Sequence, residues 1–205
     1  GKDEALHLVK DMLHNPGSVF YVRQQQPAGL GHAVWCARHL VGSEPVAVLL
    51  ADDLIIGASC VKEMVDAYKG GNMVAVMDVP HEQTGSYGIV TPGADDGRIV
   101  HVEGLVEKPD PSSAPSNIAV VGRYIITPAV FETLAAQERG AGGEIQLTDA
   151  LAKQIGKAPF SGVRFSGERF DCGSKLGFLQ ANVAFGLNND AMRDQLREWL
   201  DERLR

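Results

Sequence analysis

The sequence holds 205 residues, 44% of them apolar and 22% charged, with a formal net charge of −7. That is enough chain for one domain with a real core. The composition excludes a disordered protein, and the negative balance excludes the basic stripe that a general nucleic-acid surface needs.

The first predicted element is a helix over residues 3–13, with Ala5, Leu6, Val9, Met12 and Leu13 at helical spacing. The residues that open the chain, Gly1-Lys2-Asp3-Glu4, are neither basic nor apolar, unlike a secretory leader. No apolar run approaches the roughly 20 residues that span a bilayer, so the expectation is a cytoplasmic protein with no membrane partner. Asn15-Pro16-Gly17 ends the helix, and Val19-Phe20-Tyr21-Val22 reads as a short strand. A polar loop follows from Gln24 to Gly31, then a helix over 33–40 that carries Cys36. This cysteine, Cys60 and Cys172 have no metal-ligand or redox spacing and read as three reduced thiols.

Residues 45–50 are continuously apolar, which suggests a strand covered on both faces in a parallel sheet. A helix over 60–69, with Val61, Met64, Val65 and Tyr68 on one face, and a buried strand over 73–77 complete a βαβ unit of a doubly wound sheet. From Tyr87 to Tyr124 short strands at 88–91, 99–102 and 119–125 alternate with Gly, Pro, Asp and Ser, in the manner of a β-meander. Helices are predicted over 128–137 and 146–155. The chain closes with a segment over 174–186 and an amphipathic helix over 190–204, where Leu196, Leu200 and Leu204 mark one face with Trp199 beside it. No repeat or long linker interrupts this order. It reads as a single α/β domain over 1–205, with residues 174–205 as a C-terminal helical extension.

Chemistry concentrates at five places. Asp52 and Asp53 follow the apolar strand directly, and ligand crevices of open α/β sheets lie beyond the carboxyl ends of strands. A carboxylate there can hold Mg2+, which keeps phosphate oxygens in its shell, and the pair can equally cap the next turn. Asp171, just before Cys172-Gly173-Ser174, is either an N-cap or the second carboxylate of a metal clamp. In the loop over 22–33, Gly29 and Gly31 let backbone approach a flat ligand, or simply make a tight turn. Gln24 carries a donor and an acceptor suited to a pyrimidine edge, whereas His32 reads as a helix-start residue held by backbone contacts. Proline after Glu107-Lys108 favours extended backbone, which sends those two side chains to opposite sides. One then addresses a sugar hydroxyl and the other a phosphate, or the two form an exposed strand-end pair. The glycine turn over 140–143 leads to Glu144, a further sugar-pocket candidate, with Thr148 and Asp149 inside the following helix.

Several runs recur in the order of one family: Val22-Arg23-Gln24 with Gly29-Leu30-Gly31-His32-Ala33; Leu50-Ala51-Asp52-Asp53; Tyr87-Gly88-Ile89-Val90; and Val106-Glu107-Lys108-Pro109. Residues 117–124, Gly143-Glu144-Ile145-Gln146-Leu147-Thr148-Asp149 and Asp171-Cys172-Gly173-Ser174-Lys175-Leu176-Gly177 continue the series. Together they resemble the bacterial UTP–glucose-1-phosphate uridylyltransferases over nearly the whole chain. The resemblance implies a Rossmann-like nucleotidyltransferase fold, a mixed sheet flanked by helices with a β-rich sugar-binding half and C-terminal helices. It implies that UTP and glucose-1-phosphate give UDP-glucose and pyrophosphate by direct displacement, without a covalent protein nucleophile. It also implies residue roles. Gln24 and the Gly29 backbone bind uracil, and Asp52 holds Mg2+ and phosphates with Asp171 as second carboxylate. Gly88 and Glu107 take glucose hydroxyls with Glu144 nearby, and Lys108 contacts the sugar phosphate. The C-terminal helix either packs within its own chain or, as the resemblance favours, joins subunits into a homodimer or homotetramer.

The family opens with a strand and a Gly-x-Gly-x-Arg loop followed by Pro-Lys, and no such run occurs here. The expectation is a chain without that first strand, of little or no turnover alone. Two other readings stand: a related enzyme using dTTP, whose base shares the uracil edge, and a sugar-nucleotide-binding module without catalysis. Asp52, Lys108 and Asp171 argue against the latter.

Overall fold

The computed structural model describes residues 2–204. In chain order its elements are α1 (Lys2–Asp11), α2 (Leu30–Cys36), β1 (Val46–Leu49), β2 (Asp53–Ile56), α3 (Cys60–Ala67), β3 (Asn72–Asp78), β4 (Gly88–Asp95) and β5 (Ile99–Glu107). There follow β6 (Ile118–Ile126), α4 (Pro128–Leu134), α5 (Leu147–Ala152), β7 (Phe160–Arg164), β8 (Glu168–Asp171), α6 (Lys175–Asn188) and α7 (Arg193–Arg203).

Residues that are apolar at every position, not at alternate ones, mark the central strands. In β3 and β6 successive side chains point to opposite faces, and both faces are covered. Met73, Ala75, Val121 and Ile125 pack with Cys60 and Met64 of α3 on one side. Val74, Val76, Val120, Tyr124 and Ile126 pack on the other with residues of α2, α4 and α5. The sheet has the order β1-β6-β3-β7-β5-β4, with only β3 and β7 parallel among these neighbours. A single bridge from Ile89 to Ala119 brings β4 back against β6. Outside this sheet, β2 and β8 form a two-stranded antiparallel ribbon that sets Asp53 opposite Asp171.

Several sequence expectations are corrected. The strand at 45–50 is not a two-face-covered parallel strand: β1 lies at the sheet edge, pairs antiparallel with β6, and leaves Ala47 and Leu49 exposed. The expected βαβ neighbours do not pair, because β6 inserts between β1 and β3, antiparallel to each. The meander holds only for the β4–β5 hairpin, since β6 leaves it for the middle of the sheet. Val19 to Val22 form no strand among the described residues. No described ladder pairing involves them, and Tyr21 is 94% exposed. None of the described residues of α1 is buried, so its apolar stripe faces solvent. The inward face of α3 is Cys60 and Met64, with Val65 outside. At the other end Ser174 caps α6 by accepting from Gly177 N at 3.0 Å, and Leu196 of α7 packs against Gly186 of α6.

Candidate active site

The turn between β1 and β2 separates two adjacent aspartates by burial. Asp53 faces inward: its Oδ2 accepts from Gly122 N at 2.6 Å, and its Oδ1 pairs with Arg169. Gly122 is required there, because a Cβ would overlap the Asp53 carboxylate. Asp52 faces outward, and its backbone oxygen accepts from Cys172 N at 2.8 Å, which ties this turn to the end of β8. Arg123 fixes the same turn from below. It donates from one terminal nitrogen to Leu50 O and Gly122 O, both at 2.9 Å, and from the other to Asp53 O.

These restraints bring Asp52 and Asp171 together. Asp171 Oδ1 lies 3.0 Å and Asp52 Oδ2 3.2 Å from the single point that a Cβ on Gly173 would occupy. Asp171 does not cap α6, a task that falls to Ser174. It accepts instead from Gly173 N at 3.0 Å.

Across the cleft, β4–β5 pairing sets Gly88 directly opposite Glu107. The Glu107 side chain is only 12% exposed, and its Oε2 lies 3.3 Å from where a Gly88 Cβ would sit. Thr148 Cγ2 is 3.2 Å from the same point, so glycine keeps this wall clear. Lys108 overturns its expectation. It is left-handed, with φ 47°, donates N–H to Tyr87 O at 2.9 Å, and places Nζ 3.9 Å from Glu107 Oε1. The chain turns at the end of β5, so both side chains enter one cleft and not opposite faces. A strained backbone at a charged, cleft-lining position is a known accompaniment of function.

The cleft holds about 300 Å3 and is lined by Asp52, Gly88, Glu107, Lys108 and Asp171, five of the eight residues expected from the sequence. The other three lie beside it. Gln24 Nε2 donates to Gly29 O at 3.1 Å and to His32 Nδ1 at 2.9 Å, and Leu30 connects this loop to the cleft wall. Gly29 has φ 109°, and a Cβ there would come within 2.7 Å of Ile145 O and 2.8 Å of Glu144 Cβ. Glu144 itself is exposed outside the cleft lining, and Gln146 and Thr148 of the same segment line it instead. His32 is held by a side chain, Gln24, and not by backbone. A larger cavity of about 400 Å3 near Thr133 and Lys153 contains none of the eight residues, so chemistry and not volume selects the site.

Arg169 and Tyr87 were missed from the sequence. Arg169 donates to the Tyr87 hydroxyl at 3.2 Å, and its guanidinium lies 5.5 Å from that ring's centroid. Position i−2 from Asp171 on one strand, hence the same face, is the signal that could have found it. Burial opposes the charge of Arg169, yet Asp53 and Tyr87 hold its pKa above the ordinary arginine value. Burial pushes the Tyr124 phenol well up, and the Glu107 and Asp53 carboxylates push it further.

Among the described residues no group of three or more His, Cys, Asp or Glu could enclose a metal. Two carboxylate oxygens about 3 Å from one point are the donor set that would suit a divalent cation keeping phosphate oxygens and water in its shell.

Residues 3–187 match the nucleotidyl transferase family. A UTP–glucose-1-phosphate uridylyltransferase of Komagataeibacter xylinus is 48% identical over 202 residues, 97% of this chain and 69% of that protein. The chain belongs to the UTP–glucose-1-phosphate uridylyltransferase family of nucleotidyl transferases. Among solved uridylyltransferase-family structures, a UDP-glucose pyrophosphorylase complexed with UDP-glucose is 38% identical with a TM-score of 0.85, over 92% of this chain and 73% of that one. A UTP-bound UGPase from Acinetobacter baumannii is 35% identical with a TM-score of 0.87, over 98% of this chain and 71% of that one. Family membership agrees with the Rossmann-like mixed sheet and with the order of motifs along this uridylyltransferase-family chain.

Proposed function

We propose that this chain supplies the UTP and glucose-1-phosphate contacts for the reaction that gives UDP-glucose and pyrophosphate, with Mg2+ as the metal. The convergence of Asp52 and Asp171 on one point beside Lys108 and Glu107 carries this reading. Mg2+ supplies charge neutralisation at the reacting phosphates when bound. The protein's own residues do the rest by positioning. Lys108 offers its ammonium to the sugar phosphate, Glu107 accepts from glucose hydroxyls, and Gly88 leaves room for the ring. Gln24 and Gly29 take the uracil, with Glu144 behind Gly29. A sugar phosphate oxygen is already deprotonated at neutral pH, since the second ionisation lies near 6, so it needs no general base. That oxygen bonds to the α-phosphorus of UTP as the bond to the departing pyrophosphate breaks, and no side chain forms a covalent link.

The test is a competition titration against a fluorescent uridine nucleotide. UDP-glucose should displace it at lower concentration than ADP-glucose or GDP-mannose, and the Lys108→Ala variant should lose the advantage of the sugar phosphate. Equal displacement by all three sugar nucleotides would reject the reading.

No helix among the described residues is long and apolar enough to cross a membrane, and a cytoplasmic setting is part of the proposal. Exposed Leu176, Phe178, Leu179 and Phe185 on α6 support self-association into a homodimer or homotetramer, checked by light scattering of wild type and Phe178→Glu.

A further inference from the structure

The Gln24 amide is held in one orientation. Its Nε2 lies 3.1 Å from Gly29 O and 2.9 Å from His32 Nδ1. A carbonyl oxygen only accepts, so the amide atom facing Gly29 must be the NH2 and not Oε1. One amide hydrogen goes to Gly29, and the second points at His32 Nδ1, which must therefore offer a lone pair. This makes His32 the Nε2–H tautomer, with Nε2 3.9 Å from Cys36 Sγ one turn along α2. The ring is further fixed by stacking on Trp35, with centroids 6.1 Å apart and planes 22° apart. With both hydrogens committed, Gln24 has only Oε1 left to offer a ligand. That oxygen has no hydrogen-bond partner among the described residues and is not among the sealed, unpartnered atoms, so it stays accessible.

We propose that His32 is a positioning residue for base selection. By accepting from Gln24 it locks the amide with its oxygen outward, so the loop presents an acceptor to the pairing edge of a pyrimidine. Uracil and thymine place an N–H at ring position 3 and complement that oxygen. Cytosine turns a lone pair to the same place and is rejected. This inference rests on the reading that Gln24 faces the base. It goes further in giving the amide a direction and in making His32 the side chain that holds it there together with Gly29 O. Loss of the His32 lone pair leaves Gly29 O as the amide's one remaining anchor, so Oε1 is held less firmly towards the base and discrimination falls together with affinity. Asparagine at position 32 places a carbonyl oxygen close to where Nδ1 stands and should substitute for it.

The experiment compares binding of UDP-glucose and CDP-glucose to wild type, His32→Leu, His32→Asn and Gln24→Ala. His32→Leu should weaken UDP-glucose by roughly five- to tenfold, the worth of one hydrogen bond, and shrink the UDP-to-CDP preference by about the same factor. His32→Asn should keep the preference within about threefold of wild type. Should His32→Leu fail to fold, 15N NMR of the wild-type imidazole decides the matter. The Nε2–H tautomer supports the proposal, and an Nδ1–H tautomer overturns it. An unchanged preference in His32→Leu, with UDP-glucose still weakened in Gln24→Ala, overturns the inference alone. If Gln24→Ala binds UDP-glucose as wild type does, the placing of the base at Gln24 is wrong and the inference falls with it.

Discussion

Asp53→Ala is expected to cost this protein about 3–5 kcal/mol, the typical penalty for removing one partner of a buried ion pair. The side chains of Asp53 and Arg169 are 7% and 10% exposed, so the guanidinium left behind has little water to replace its carboxylate. Gly122 N loses its acceptor as well, a term of about 1–3 kcal/mol that overlaps the first and does not simply add to it. Against a total stability of about 5–15 kcal/mol the loss is large. At roughly 2–4 °C per kcal/mol for a chain of this size it lowers the melting temperature by about 6–20 °C. The neighbouring Asp52→Ala removes an exposed side chain and should stay within about 0.5 kcal/mol of wild type. Urea unfolding followed by far-UV circular dichroism, with equal slopes for all variants, gives the comparison. A double variant, Asp53→Leu with Arg169→Met, should recover part of the loss, because apolar side chains of similar size replace a buried pair without stranding a charge. If Asp53→Ala lies within about 1 kcal/mol of wild type, or Asp52→Ala is equally destabilised, the assignment of the two aspartates is refuted.

Gly173→Ala places a methyl between the Asp171 and Asp52 carboxylates and should weaken Mg2+-dependent binding of UDP-glucose by about tenfold or more, with little change in melting temperature; unchanged Mg2+ affinity counts against the clamp. Lys108→Gly relieves a left-handed non-glycine backbone worth about 1–2 kcal/mol and should raise the melting temperature while weakening glucose-1-phosphate binding; a lower melting temperature would contradict the strain. Burial pushes the Cys60 thiol from 9.0 up to about 11, so at pH 8 a thiol reagent should titrate Cys36 and Cys172 and reach Cys60 only on unfolding. Its folded pKa is raised, so its contribution to stability is complete below pH 9.0 and is lost as pH rises through about 11. Alkaline melts of Cys60→Ala should therefore fall less steeply over that window than those of wild type.

Much of the candidate site, as a set of residues lining one cleft, was legible because its motifs are local. Asp52 at a strand end, Gly88 before an apolar run, and Glu107-Lys108 before proline each announce themselves within four residues. The pairings that make them a site are not local. Nothing in Asp52-Asp53 tells which carboxylate turns inward, since that depends on Gly122 and Arg169 arriving from β6 and β8. The proline rule set Lys108 as extended, and the turn made by its bond to Tyr87 O overrode that local preference. Continuous hydrophobicity placed β1 correctly as a strand but not at an edge, because the same pattern serves a strand covered on one side or on two. Val19 to Val22 show the converse, since β propensity yields no strand without an adjacent edge to pair with.

The central claim is that Asp52 and Asp171 jointly hold the divalent cation on which nucleotide binding depends. Calorimetric titration of UDP-glucose into wild type, Asp52→Ala and Asp171→Ala, each with Mg2+ and with EDTA, tests it most directly. The account predicts that Mg2+ tightens binding to wild type and has no effect on either variant, while both variants melt near the wild-type temperature. Binding to wild type that is indifferent to Mg2+, or a full Mg2+ response retained in both variants, would contradict it.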